Sequence, residues 1–407
     1  MRRSEILVGL DLGSSSTKVV VADARDRELP EVLGLGEARS EGIEGGIIVN
    51  MEKASAAIRA AVERAEESAD VEIGRVSVSL SGEHFKGLDS RGVVAVSSSG
   101  GEITGSEVRT VLDAAKTLAL PVGRTVVDVL PQEFFVDGQR GIRDPIGMSG
   151  VRLGSKVHIV TASEQAVDNT IRAVRKAGLR VRNIVLKPLA AALACLTDDE
   201  RELGVMSLNL GGGTTSFAIY HGAAVRHASA IGWGASSITN DVALGLRLPL
   251  ARAEQLKCDH GCAHGGLATD SPIEIPTIGG QPARQCSGDV LAAIIEPRAR
   301  EIFEMVHGEV GETDYWGRIP AGVVLTGGGA RLRGIADVAE DVFGVPARVG
   351  VPGGMSGLCD ATADPGYAAS VGAVLHSVAS PSKSRVRREG PVAETVQRVR
   401  QWVDSLL

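Results

Sequence analysis

A chain of 407 residues is long enough for two or more domain-sized cores, and a 43% hydrophobic content separates it from disordered chains. A formal charge of −7 with only 3% aromatic residues argues against a nucleic-acid protein, which would need positive charge and stacking surfaces. The 51 glycines imply an Ala/Gly/Val-rich interior with tight turns. The opening "MRRSEILVGLDLG" has neither the apolar region nor the small-residue cleavage site of a secretory signal, and no stretch approaches the roughly 20 apolar residues of a spanning helix. Five irregularly spaced cysteines fit a reducing cytoplasm.

The first predicted element, "ILVGLDLGSSSTKVVVADA" (6–24), is an apolar strand, a Gly/Ser turn and a second strand. A turn without bulky side chains lets phosphate oxygens reach backbone amides. Strand-like runs around a helix predicted at 106–118 make residues 76–159 a small α+β insertion, and a helix over 165–177 stops at Gly178. "NIVLKPLAAALACL" (183–196) reads as a strand broken at Pro188, where a helix starts. "GVMSLNLGGGTTSFAIYHG" (204–222) then repeats the first hairpin, which suggests a duplicated domain holding a phosphate between its halves.

Further on, "CDHGCAHGG" places Cys258, His260, Cys262 and His264 at short spacing. Ligands so close rarely wrap a tetrahedron alone and no second pair exists, so a loop after a helix is read here and not a zinc site. The strand 323–326 runs into Gly327, Gly328 and Gly329, with a helix expected from Leu332. No GxxxxGK[ST] is present, and the glycine spacing is not that of a Rossmann site. The chain closes on "VAETVQRVRQWVDSLL" (392–407), where Val392, Val396, Val399, Val403 and Leu406 form one helical stripe beside Trp402. With the basic linker before it, the segment from Ser380 onward carries a net +3, so the charge is polarised toward that end. A helix of this length, ~24 Å with one charged face, is expected to lie in a membrane interface and not span it.

In order, "DLGSSSTK", "KPLAAALA", "NLGGGTTS" and "TGGGARL" resemble the phosphate-1, connect-1, phosphate-2 and adenosine motifs of the actin-like ATPase superfamily. "LPQEFFVDGQRGIRDPIGMSGVRLGSKVHIVTA" (130–162), "TDDERELGV", "AEQLKCDHGCA" and "IEPRAREI" resemble the FtsA family of bacterial division proteins, and the likeness runs almost the whole chain. It implies an α/β actin-like fold, two lobes around a nucleotide cleft, with an inserted SHS2-like subdomain, 1C. The expected divisions are 1–80 (1A), 81–162 (1C), 163–195 (1A and connector), 196–231 (2A), 232–304 (2B), 305–358 (2A), 359–379 (1A), linker 380–391 and membrane-targeting helix 392–407.

The resemblance also implies ATP and Mg²⁺ as cofactors. Nucleotide contacts are expected from Asp11, Gly13, Ser14, Ser15, Thr17 and Lys18, from Gly211, Gly212, Gly213 and Thr214, from Glu254 and Lys257, and from Gly327, Gly328 and Gly329, with Asp11 orienting the magnesium through water. Implied partners are the FtsZ C-terminal peptide, further copies in filaments, later division proteins and anionic lipid at the cytoplasmic face of the inner membrane at the septum. Arg298 and Arg300 are the expected peptide contacts on 2B, and Val396, Val399, Trp402, Val403 and Leu406 the membrane contacts.

Two departures from the motifs bear on catalysis. Asn209 and Ser216 stand where the second phosphate motif usually has Asp, and Lys187 stands where chaperones of the superfamily have Glu. These changes remove groups that hydrolysis needs while leaving the phosphate turns intact, so at most weak ATPase activity is expected and no catalytic residue is assigned. The rival readings are a small-molecule kinase of the same fold, which needs a carboxylate base, and a PilM-like pilus-assembly protein.

Overall fold

The computed structural model describes residues 5–25, 29–97, 100–117, 120–269, 272–275 and 284–379. The predicted linker 380–391 and the helix 392–407, with Val396, Val399, Trp402, Val403 and Leu406, lie outside the described residues.

Both predicted hairpins form, and each seeds a sheet. Ile6–Leu12 pairs antiparallel with Ser16–Asp23, and Glu31–Arg39 completes a meander. Helix Met51–Ala69 then carries the chain back to Arg75–Leu80, which lies parallel to Ile6–Leu12, and Arg180–Leu186 adds parallel beyond it. With the short Ser356–Gly357, this is a six-stranded sheet. The second lobe repeats the plan. Val205–Leu210, Thr215–His221 and Ala224–Ile231 form the meander, Val323–Thr326 lies parallel to the first of these, and Ala347–Val349 adds outside it. Val205–Leu210 is buried at every position, as expected of a strand covered on both faces.

Inserted into the first lobe's chain is a third unit with its own core of Ile103, Val111, Leu112, Phe134, Leu153 and Ile159. Its four-stranded sheet packs helix Gly105–Lys116, whose Thr104 and Glu107 form a capping box. The helix expected over 165–177 spans Glu164–Lys176 and ends before Gly178, at φ +91°. The helix expected from Leu332 starts later, at Ile335. Gly328–Arg331 first makes a 3₁₀ turn, and Gly334 takes a left-handed φ of +76°.

The inserted unit leaves the first lobe after Leu80 and rejoins it at helix Glu164–Lys176, yet it docks on the second lobe. The Gln132 amide donates to the Arg226 carbonyl at 2.9 Å, and Arg226 Nη1 donates back to the Gln132 carbonyl at 3.1 Å. The Ala228 N–H donates to His158 Nε2 at 3.2 Å, leaving Nδ1 to face Asp89 at 2.9 Å. Burial would raise the Asp89 carboxyl, but hydrogen bonds from His158 and Lys156 hold it below its ordinary range.

The lobes are joined by helix Lys187–Cys195, which packs closely on helix Ala368–Ala379 of the first lobe. A Cβ added at Gly372 would overlap the Ala190 carbonyl, so only glycine allows this approach. The Ser377 and Ser77 hydroxyls meet at 2.6 Å and tie the second helix to the first sheet. Gly372→Val should therefore lower stability by about 1–3 kcal/mol through overpacking. Gly308→Ala, at a helical position with open space around it, should raise it by about 0.4–1 kcal/mol. Urea unfolding of the two variants beside the parent chain measures both signs.

Candidate functional site

The two hairpin turns face each other across a cavity of about 700 Å³. All the expected nucleotide residues except Thr17 line it: Asp11, Gly13, Ser14, Ser15, Lys18, Gly211, Gly212, Gly213, Thr214, Glu254, Lys257, Gly327, Gly328 and Gly329. The turns come within side-chain contact. A Cβ at Gly213 would lie 2.6 Å from Ser14 Oγ, and one at Gly212 would overlap the Ser15 hydroxyl. Helix Ala235–Leu246 starts on the second turn, where the Ala235 and Ser236 N–H groups donate to the Gly211 and Gly212 carbonyls at 2.8 Å each. The turn's carbonyls are thereby occupied and its conformation fixed.

Thr17 is the exception, and its expected contact is corrected. It lies on the opposite face of the strand from Ser16 and Lys18, fully buried, with its hydroxyl 2.8 Å from that of Ser40. The alternation of the strand sends it into the core.

At the far end of the cavity, Gly327 has a φ of +86°, in the region that favours glycine, and its N–H donates to the Pro365 carbonyl at 2.9 Å. A side chain at Gly328 would meet no protein atom within 4 Å, so the backbone there lies open. Glu254 and Lys257 form one wall. Lys257 Nζ reaches Glu254 Oε2 at 2.7 Å and donates to Thr239 Oγ1 at 2.8 Å and to the Ala235 carbonyl at 3.2 Å. Burial pushes the Glu254 carboxyl upward, but the Lys257 charge and hydrogen bond outweigh it and leave it lowered.

Sequence reasoning missed several residues of the lining. Lys18 pairs with Glu37 at 3.4 Å and lies 4.5 Å from the centre of the Tyr367 ring. Glu37 gave no motif signal; it is the register partner of Lys18 on the next strand. Arg331 reaches the cavity, and its Nε donates to Asp364 Oδ1 at 2.8 Å. Burial opposes the charge of Asp364, yet hydrogen bonds from Arg331 and the Gly366 N–H hold its carboxyl below the ordinary range.

Asp11 and Asn209 occupy equivalent places on the cavity floor, at the ends of equivalent strands. Each is held by a hydroxyl on the parallel neighbour: Ser79 Oγ donates to Asp11 Oδ1 at 2.6 Å, and Asn209 Nδ2 donates to Thr326 Oγ1 at 3.1 Å. Beside Asn209, the register partner Ser216 has a buried hydroxyl with no hydrogen-bond partner among the described residues. Lys187 begins the connector helix and turns its ammonium onto Asp11, Nζ to Oδ1 at 2.9 Å, with both groups buried.

This floor does not fit the expected magnesium. Mg²⁺ is ordinarily held through one or two free carboxylates and its own waters. Asp11 is already neutralised by Lys187, and Asn209 and Ser216 bring no charge. The expectation that Asp11 orients magnesium is therefore revised. Elsewhere, among the described residues no three His, Cys, Asp or Glu are grouped to hold a metal ion. Cys262 Sγ turns to the His264 carbonyl at 3.2 Å, while Cys258 and His260 line the cavity.

Arg298 and Arg300 share helix Gly288–Gly311 but do not form one patch. Arg298 Nε pairs with Asp241 at 2.6 Å and its guanidinium lies 5.3 Å from the Trp233 ring centre, while Arg300 pairs with Asp341 at 3.0 Å. Two residues apart, they face different neighbours, and each guanidinium is paired with a carboxylate of the chain's own.

Two facing lobes of one topology, each with a glycine turn against a shared cavity, define the class of the protein. Solved structures with this architecture include the PilM–PilN type IV pilus biogenesis complex, with a TM-score of 0.65 at 18% identity over 91% of this chain and 98% of that one. They also include MreB5 of Spiroplasma citri bound to ADP, with a TM-score of 0.56 at 13% identity over 92% and 96%. The fold is that of the actin-like ATPases.

The particular family follows from sequence. A family model described as "SHS2 domain inserted in FTSA" matches residues 82–161, and one described as "Cell division protein FtsA" matches 206–372. The chain is 37% identical to cell division protein FtsA of Pseudomonas aeruginosa over 100% of this chain and 99% of that one, and 33% identical to that of Escherichia coli K12 over 99% and 96%. Against that of Bacillus subtilis, identity is 36% over 92% and 84%. The chain belongs to the FtsA family of cell division proteins.

The Asp11–Lys187 pair makes a direct prediction. Lys187→Ala strands a buried carboxylate and should cost about 3–5 kcal/mol of stability, whereas the double change Asp11→Asn, Lys187→Gln should restore most of that loss. Urea unfolding of the parent chain, the single variant and the double variant measures both changes.

Proposed function

We propose that the chain binds an adenine nucleotide, ATP or ADP, in the interlobe cavity and couples FtsZ filaments to the cytoplasmic face of the inner membrane at the division site. The observation that carries the nucleotide reading is the convergence of four separated motifs on one cavity. The phosphates would lie between the turns 13–15 and 211–214, held by backbone amides, with Lys18 adding a point charge. The adenosine would rest on the open backbone at Gly328, between the 327–329 turn and the Glu254–Lys257 wall. Near-full-length similarity to division proteins supports the cellular role.

Membrane attachment is assigned to 392–407, with Val396, Val399, Trp402, Val403 and Leu406 entering the interface and the preceding arginines meeting anionic lipid, each basic residue contributing about 1 kcal/mol. Among the described residues no helix is long and apolar enough to cross a membrane. A single interfacial helix binds reversibly, and self-association into filaments would strengthen it by avidity. The FtsZ peptide, further copies of the chain and later division proteins complete the proposed set of partners.

Hydrolysis should be poor. Lys187 cannot order a nucleophilic water as a carboxylate does, and Asn209 cannot accept its proton. Steady-state phosphate release from ATP should therefore fall far below the roughly 10 s⁻¹ of a median enzyme. The cellular reading is tested by sedimenting FtsZ with anionic liposomes. FtsZ should pellet when the full chain is present, and should stay in solution with Trp402→Glu or with the chain ended before Val392. Liposome pelleting of the shortened chain would refute the tail as anchor, and a failure of the full chain to bring FtsZ down would refute the tether.

A further inference from the structure

The floor of the cavity carries an inference that rests on the nucleotide reading and goes beyond it. In a two-lobed nucleotide cleft, a divalent cation normally offsets the charge of the β- and γ-phosphates. It needs oxygen ligands of net negative charge, and it keeps several waters in near-octahedral geometry at roughly 2.0–2.1 Å. Here the corresponding ground is built from Asp11, Lys187 and Asn209, with Ser216 buried beside Asn209.

Three observations bear on what that ground can hold. The Lys187 ammonium is within 2.9 Å of Asp11 Oδ1, and the same oxygen accepts from Ser79 at 2.6 Å, so the charge of the floor carboxylate is balanced by the ammonium. Asn209 turns its amide nitrogen, a donor, to Thr326 at 3.1 Å, and Ser216 is neutral. A Cβ built on Gly13 would lie 3.8 Å from Lys187 Nζ, which puts the ammonium directly beneath the first phosphate turn. A divalent cation entering there would stand close to a fixed positive charge and face no free carboxylate among these four side chains.

We propose that Lys187 is a built-in counter-cation, and that the cavity takes a nucleoside di- or triphosphate free of divalent metal. The ammonium has three N–H donors. One serves Asp11, which fixes the position of the charge, and the others remain for phosphate oxygens. Asp11 is thus a positioning residue for Lys187, and the uncharged Asn209 and Ser216 remove the negative charge that would recruit a metal. The same three departures that weaken hydrolysis, Lys187, Asn209 and Ser216, therefore keep the anion site neutral enough to accept phosphate unaided.

The test is calorimetric titration of the full chain with ATP and with ADP, in magnesium and in EDTA. Affinity in EDTA should equal that in magnesium within about threefold, or exceed it. The double variant Asp11→Asn, Lys187→Gln replaces the pair by neutral groups of similar shape. Removing a charged hydrogen bond to phosphate should weaken its binding in EDTA by about tenfold or more, and magnesium should not rescue it. Thermal melts of both chains establish that the variant is folded; if it is not, the wild-type comparison alone decides. A wild-type affinity that collapses more than about tenfold in EDTA overturns the inference and leaves the nucleotide reading standing, as does unchanged binding by the folded double variant. No binding in either medium overturns the nucleotide reading itself, and the inference with it.

Discussion

Glycine makes the room where the two lobes touch, and that constraint shapes the rest of the molecule. At the mouth of the cavity, Gly212 and Gly213 leave the room that Ser15 and Ser14 occupy. At the base, Gly372 admits the Ala190 carbonyl, and Gly9 admits that of Ser370. Each contact would be blocked by a single Cβ. The composition, rich in glycine and poor in aromatics, is the sequence-wide counterpart of these contacts, because a duplicated fold whose turns meet across a cavity cannot keep bulky side chains between its halves.

Much of this was legible because the relevant signals are local. Each hairpin is a run of β-formers around a small-residue turn, and the strand at Val323–Thr326 is a short apolar run ended by glycines. The connector helix announces itself by Pro188 just inside its start. What could not be read depends on register and on distance. Thr17 looked like one more hydroxyl of a phosphate turn, and only the alternation of the paired strand sends it inward. Glu37 enters the cavity because it lies across from Lys18, a pairing no motif encodes. Arg298 and Arg300 looked like a pair on one helix, but their acidic neighbours, Asp241 and Asp341, come from two other helices. In the sequence Lys187 signals only a lost carboxylate; its contact with Asp11, across 176 positions of chain, is visible only in three dimensions.

The duplication explains why one substitution has such reach. Asp11 and Asn209 are held alike, each by a hydroxyl on the neighbouring parallel strand, but the hydrogen bond runs in opposite directions. A carboxylate accepts from Ser79, whereas a carboxamide donates to Thr326. Geometry is retained while charge is not, so the two halves of the floor match in shape and differ in electrostatics. The only ionised side chain at these two equivalent positions is then balanced by Lys187, from the helix that links the halves.

The docking of the inserted unit has a mechanical consequence. It is rooted covalently in one lobe and clasped to the edge strand of the other by the reciprocal Gln132–Arg226 bonds and by His158 on the Ala228 amide. With a core of its own, it transmits force as a strut does and does not yield as a loop would. Rotation of one lobe against the other would load that strut. The lobes must then either turn about an axis that passes near the clasp, or break several hydrogen bonds together. Opening about such an axis would leave the clasp intact and carry the far surface of the inserted unit with it like the pointer of a gauge.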